Sequence, residues 1–110
     1  MKIAIRGVKD VTVVDQDDIL YCKADGRYTH IFLGEERSIL TSRLLKEIES
    51  ALSKKNFCRI HHSYLINLNY ITSIKNHKKL VLEDRIELPI AKRRNKSLIK
   101  SIAKLNINFI

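Results

Sequence analysis

Long apolar runs are missing from this chain, and no stretch approaches the roughly 20 residues needed to cross a bilayer. No charged-then-apolar leader with a small-residue cleavage site follows Met1, so the expected location is the cytoplasm. Cysteine occurs only as Cys22 and Cys58, each among hydrophobic neighbours. Two isolated thiols exclude a disulfide framework and fit reduced, partly buried side chains. The three glycines (Gly7, Gly26 and Gly34) are too scattered to build a phosphate-cradling loop. His61 and His62 are adjacent, so on a strand they face opposite ways and do not grip one metal. Neither CxxC nor HExxH occurs, and no metal or cofactor is expected. Cys58 with His61 is the nearest approach to a nucleophile–base pair, and Glu47 and Glu49 do not share a helix face. No catalytic constellation results, and the chain reads as a binding module, not an enzyme.

What the chain does have is charge, unevenly placed. The formal net charge is +9 over 110 residues, a length that fits one domain spanning 1–110. Residues 1–56 hold ten Lys/Arg and nine Asp/Glu, whereas residues 57–110 hold eleven and three. The halves therefore carry +1 and +8. A uniform basic surface serves solubility, but this asymmetry makes a directional field that attracts a polyanion. The competing reading is a solvated basic face without a partner.

Hydrophobic periodicity predicts mostly short strands. Period-two alternation runs over Lys2–Arg6 and Ile19–Lys23, Asp10–Asp15 is rich in valine, Arg27–Leu33 is β-branched and aromatic, and Ser38–Thr41 pairs as a further strand, with Asp25-Gly26 as a hairpin turn signal. The period then changes. Leu44, Leu45, Ile48, Ala51 and Leu52 predict an amphipathic helix of about three turns, with Thr41 or Ser42 as N-cap. Short strands resume at Phe57–Ile60, Tyr64–Ile66, Ile71–Lys75, Leu80–Leu82 and Arg85–Leu88, where Pro89 ends the series. Residues 95–105 predict a second helix. The fold class is mainly β with one central and one C-terminal helix, without the βαβ alternation of a parallel nucleotide-binding sheet.

Two segments concentrate hydrogen-bond donors. In residues 57–67, Arg59, His61, His62, Ser63 and Asn67 interleave with apolar residues that hold a strand in place. In residues 90–97, Lys92, Arg93, Arg94 and Lys96 crowd the start of the second helix. Cations oppose the macrodipole at a helix N-terminus, so folding alone does not favour them there. Placement against stability is the mark of a functional surface.

The ordered motif Phe57-x-Arg59-x-His61-x-Ser63-Tyr64-Leu65-Ile66-Asn67 resembles the signature of the LytTR DNA-binding domain. Residues 18–29, 44–49 and 88–93 resemble that family's early strand pair, central helix and closing motif, so the likeness spans about residues 3–100. Ala91 stands where the family commonly has serine. The resemblance implies an elongated stack of small antiparallel sheets that reads duplex DNA with loops entering the major groove. Base readers would be Thr29 and His30, beside Arg27 and Tyr28, then His62 and Arg93. Phosphate contacts would be Arg27, Arg59, Ser63, Lys92, Arg94 and Lys96. His61, Arg59 and Asn67 belong to the motif itself and imply support of the turn. The family also implies self-association on paired direct repeats, and a receiver domain with its sensor kinase elsewhere in a longer protein. The alternatives are an RNA-binding β module and a domain that docks an acidic protein partner.

Overall fold

The computed structural model describes residues 1–110. Ten strands form in chain order: β1 (Lys2–Arg6), β2 (Val11–Asp15), β3 (Ile19–Asp25), β4 (Tyr28–Leu33), β5 (Ser38–Thr41), β6 (Phe57–His61), β7 (Tyr64–Asn67), β8 (Ile71–Lys75), β9 (Lys79–Leu82) and β10 (Ile86–Pro89). Helix α1 (Leu45–Ala51) separates β5 from β6, and α2 (Asn95–Ala103) follows β10. All pairings are antiparallel, in sheets of two strands (β1-β2), five (β5-β4-β3-β7-β6) and three (β10-β9-β8).

The central sheet is buried on both faces by period-two alternation. On β7, Leu65 faces one core and Ile66 the other; on β6, Phe57 and Cys58 divide likewise. The first core is closed by Ile5 and Val14 of the β1–β2 hairpin, by Leu45 and Ile48 from α1, and by Leu52 just after that helix. The second is closed by Leu80, Leu82 and Leu88 of the three-stranded sheet and by Leu98 and Ile102 of α2. Three layers in series give an elongated body of 45 × 28 × 25 Å. A strand buried on both faces has no polar side to fix its register, so a polar anchor is needed. Asn67 supplies it. Fully buried, it donates from Nδ2 to the Ile19 carbonyl at 2.9 Å and accepts from Asn69 N–H at Oδ1.

The turns follow their backbone demands. Asn76 and His77 both have positive φ, as do Glu83 and Asp84, the signature of the two-residue turn whose twist suits a hairpin. The β3–β4 turn centres one residue later than the Asp25-Gly26 signal suggests. Asp25 pairs with Tyr28 within the ladder, which leaves Gly26 at φ +60° and Arg27 at the tip. A glycine at the first central position is what a type II′ turn requires.

Helix α1 is two turns long, not three, and neither Thr41 nor Ser42 caps it. Thr41 is still in β5, where its buried hydroxyl donates to the Arg6 carbonyl and accepts from Arg43 N–H. The helix starts after Leu44, whose N–H is satisfied by the Glu47 carboxylate at 3.0 Å. Both cysteines are free and buried. Complete burial pushes the Cys22 thiol up to about 12, and burial also raises Cys58. Neither helix is long and apolar enough to cross a membrane.

Candidate nucleic-acid interface

Three segments distant in sequence meet at one end of the central sheet. Antiparallel pairing of β3 with β7 brings the β3–β4 turn beside the β6–β7 turn, where Ala24 N–H donates to the Ser63 carbonyl at 2.9 Å. A bulge between Arg59 and His61 leaves Ile60 unpaired in the ladder. Its free carbonyl accepts from Ala91 N–H at 2.8 Å, which seats the β10–α2 connection beside β6. Bulges commonly re-aim the chain in this way at functional edges. The tips therefore stand in a row: Gly26-Arg27, then His62-Ser63, then Lys92–Arg94.

The middle tip is braced from within. Arg59 donates from Nε to the His61 carbonyl at 3.0 Å, from Nη2 to the His62 carbonyl, and from Nη1 to Glu49 of α1 at 3.0 Å. With its side chain 13% exposed, this guanidinium is committed to the fold, and its assignment to a phosphate is corrected. Its planar fork matches two carbonyls and a carboxylate at once, which an ammonium cannot do. His61 accepts the Ser63 N–H at Nδ1 (3.0 Å), so it too supports the turn. Ser63 is half-buried. Between these braces His62 is exposed.

At the first tip Arg27 is exposed and Tyr28 is 43% exposed. Thr29 is not available to a base. It is buried at 1% and its hydroxyl donates to the Arg43 carbonyl at 2.8 Å, because odd-numbered β4 residues face the first core. His30, on the opposite face, is half-exposed, lies 3.1 Å from Asp25 Oδ2, and stacks on Phe32 at 5.9 Å. At the third tip Lys92, Arg93 and Lys96 are exposed. Arg94 is half-buried, makes no side-chain hydrogen bond, and has a buried Nε with no acceptor.

Electrostatics sharpen toward this end of the chain. After Glu87 no acidic residue remains, while Lys92, Arg93, Arg94, Lys96, Lys100 and Lys104 follow. None of these six enters an ion pair; every ion pair in the structure involves earlier residues. Lys100 and Lys104 lie outside the two donor-rich segments of the sequence, although their spacing of four and eight residues from Lys96 is visible in it. An apolar cavity of about 300 Å³ between β1 and α1 lies in the first core's layer and includes none of the tip residues.

A family model described as the LytTr DNA-binding domain matches residues 9–103. Among curated proteins, the Bacillus subtilis sensory transduction protein LytT is 26% identical over 103 residues, covering 90% of this chain and 42% of LytT. The Bacillus subtilis transcriptional regulatory protein NatR is 31% identical over 78 residues, covering 71% of this chain and 33% of NatR. The chain thus spans about two fifths of these relatives or less. Among solved structures, the LytTr DNA-binding domain of a Bacillus cereus protein superposes with a TM-score of 0.77 at 22% identity, over 92% of this chain and 95% of the other.

Proposed function

The chain belongs to the LytTR family of DNA-binding domains, and on that premise we propose that it reads duplex DNA through its row of three tips, as the output domain of a transcriptional regulator. The observation that carries the reading is the pair of backbone bonds, Ala24 N–H to the Ser63 carbonyl and Ala91 N–H to the Ile60 carbonyl, that aligns the exposed donors of three separate segments. Arg93 forks onto a guanine edge in the major groove, His62 reads a second position, and His30, steadied by Asp25, stands nearest the first. Arg27, Lys92, Arg94 and Lys96 hold phosphates and supply salt-dependent affinity common to all sequences. The relatives' greater length leaves room for a receiver or other sensory domain, and pairing of two copies on direct repeats would double the short footprint of one. Such a role belongs in the cytoplasm, and no reaction is part of it.

Single-strand readers need open aromatic faces on which bases stack. Here Phe57 is buried, and Tyr64 is half-buried against His61 and Tyr21. Among the tyrosine and phenylalanine rings beside the tips, Tyr28 is the exposed one. In competition at about 150 mM salt, unlabelled duplex DNA should displace a bound labelled duplex at a concentration at least tenfold below that of single-stranded RNA of equal length. Equal or better displacement by the RNA would refute the duplex reading.

A further inference from the structure

Arg93 is also the head of a second feature. Together with Lys96, Ser97, Lys100, Ser101 and Lys104 it lines a shallow groove of about 390 Å³ that contains no hydrophobic residue. Lys96, Lys100 and Lys104 recur every four residues and so stack along one face of α2. The opposite face holds Leu98 and Ile102 in the second core, so the rigid seating of the helix fixes where the cations project. At 1.5 Å per residue the line from Lys96 to Lys104 is about 12 Å long.

Folding does not account for this alignment. Cations four residues apart repel one another, and an exposed helix face ordinarily alternates acid with base to gain from such pairs. Helix α2 has no acidic residue, and none of its lysines has a partner in an ion pair. The dipole favours Lys100 and Lys104 near the C-terminal end but disfavours Lys96 in the first turn, so it does not explain the set. What the stripe offers is a run of ammonium groups with hydroxyls from Ser97 and Ser101 between them, continuous with the tip that carries Arg93.

We propose that the α2 stripe is a track for the phosphodiester backbone of duplex DNA flanking the base pairs read by the loops, with Lys100 and Lys104 as its outer phosphate contacts. This rests on the duplex-binding reading. It extends the footprint by about three base-pair steps at 3.4 Å each along the strand beyond the position of Arg93. It also makes affinity depend on DNA that no base reader touches.

The test measures affinity against salt concentration from 50 to 200 mM, using a 40-bp duplex that carries the chain's best selected site. Neutralising one phosphate-binding cation lowers the log–log slope by about 0.9. Lys100→Gln with Lys104→Gln should therefore flatten it by about 1.8, so that the variant's deficit shrinks roughly tenfold across that range. Arginine at both positions should restore the slope. A duplex cut off at the base pair read by Arg93 should make wild type and the glutamine variant alike. Lys54→Gln with Lys55→Gln, at the opposite end of β6, controls for net charge and should leave the slope close to wild type. An unchanged slope in the α2 variant, or an equal drop in the Lys54/Lys55 variant, overturns the track while leaving loop recognition standing. A wild-type chain with no salt-dependent affinity for the duplex overturns both.

Discussion

Replacing Arg59 by alanine is expected to lower the melting temperature by about 10–25 °C and to reduce affinity for the selected DNA site at least tenfold. The first figure follows from removing three charge-assisted hydrogen bonds together, about 2–4 kcal/mol in all, in a domain where each kcal/mol shifts the midpoint by several degrees. The second follows because the carbonyls of His61 and His62 are deprived of the donors that hold the turn, and a base reader a fraction of an ångström out of place loses most of its discrimination. Affinity measured at low temperature, where the variant stays folded, separates misplacement from unfolding. Arg59→Lys should recover part of the stability but little of the affinity, since one ammonium cannot serve two carbonyls and Glu49 at once. Unaltered binding in Arg59→Ala would mean that the exposed tip does not need this brace.

Arg93→Ala is expected to act in the opposite manner, with no effect on stability and a concentrated effect on recognition. Its side chain is exposed and unpaired in the free protein, so its removal breaks no interaction within the fold. On the DNA a bidentate contact to guanine is worth about 1–3 kcal/mol, or roughly 5- to 150-fold. The diagnostic is where the loss falls. Substituting the guanine should cost wild type that factor and cost the variant nothing. A loss spread evenly over all sequences would make Arg93 another phosphate contact.

Much of the architecture is legible in the sequence because its signals are local. Period-two alternation or a short apolar run between turn residues marks each strand, and the switch to four-residue spacing at Leu44 marks α1. The resemblance to the LytTR motif adds the layered order that periodicity alone does not supply. The departures share one origin, the dependence of a side chain on partners far away in sequence. Thr29 and His30 are neighbours of similar polarity on one strand, and only the position of the first core decides that Thr29 is buried and His30 is not. Arg59 reads as one of the clustered donors of residues 57–67 until Glu49, ten residues earlier on α1, is seen beside it. The helix begins after Leu44 instead of at Thr41 because the Thr41 hydroxyl is spent on Arg6 and Arg43. Convergence of the three tips depends on backbone bonds spanning tens of residues, which no local pattern encodes. The lysine stripe is legible as spacing, but the denser cluster before it draws the eye first.

Recognition by these tips is tested most directly by selecting sites from a random duplex pool at about 150 mM salt, in parallel for wild type, His62→Ala and Arg93→Ala. Wild type should enrich a motif of two spaced half-sites, with each substitution erasing preference at its own position and leaving the others intact. A pool that shows no enrichment with wild type, or a motif unmoved by both substitutions, would contradict the account.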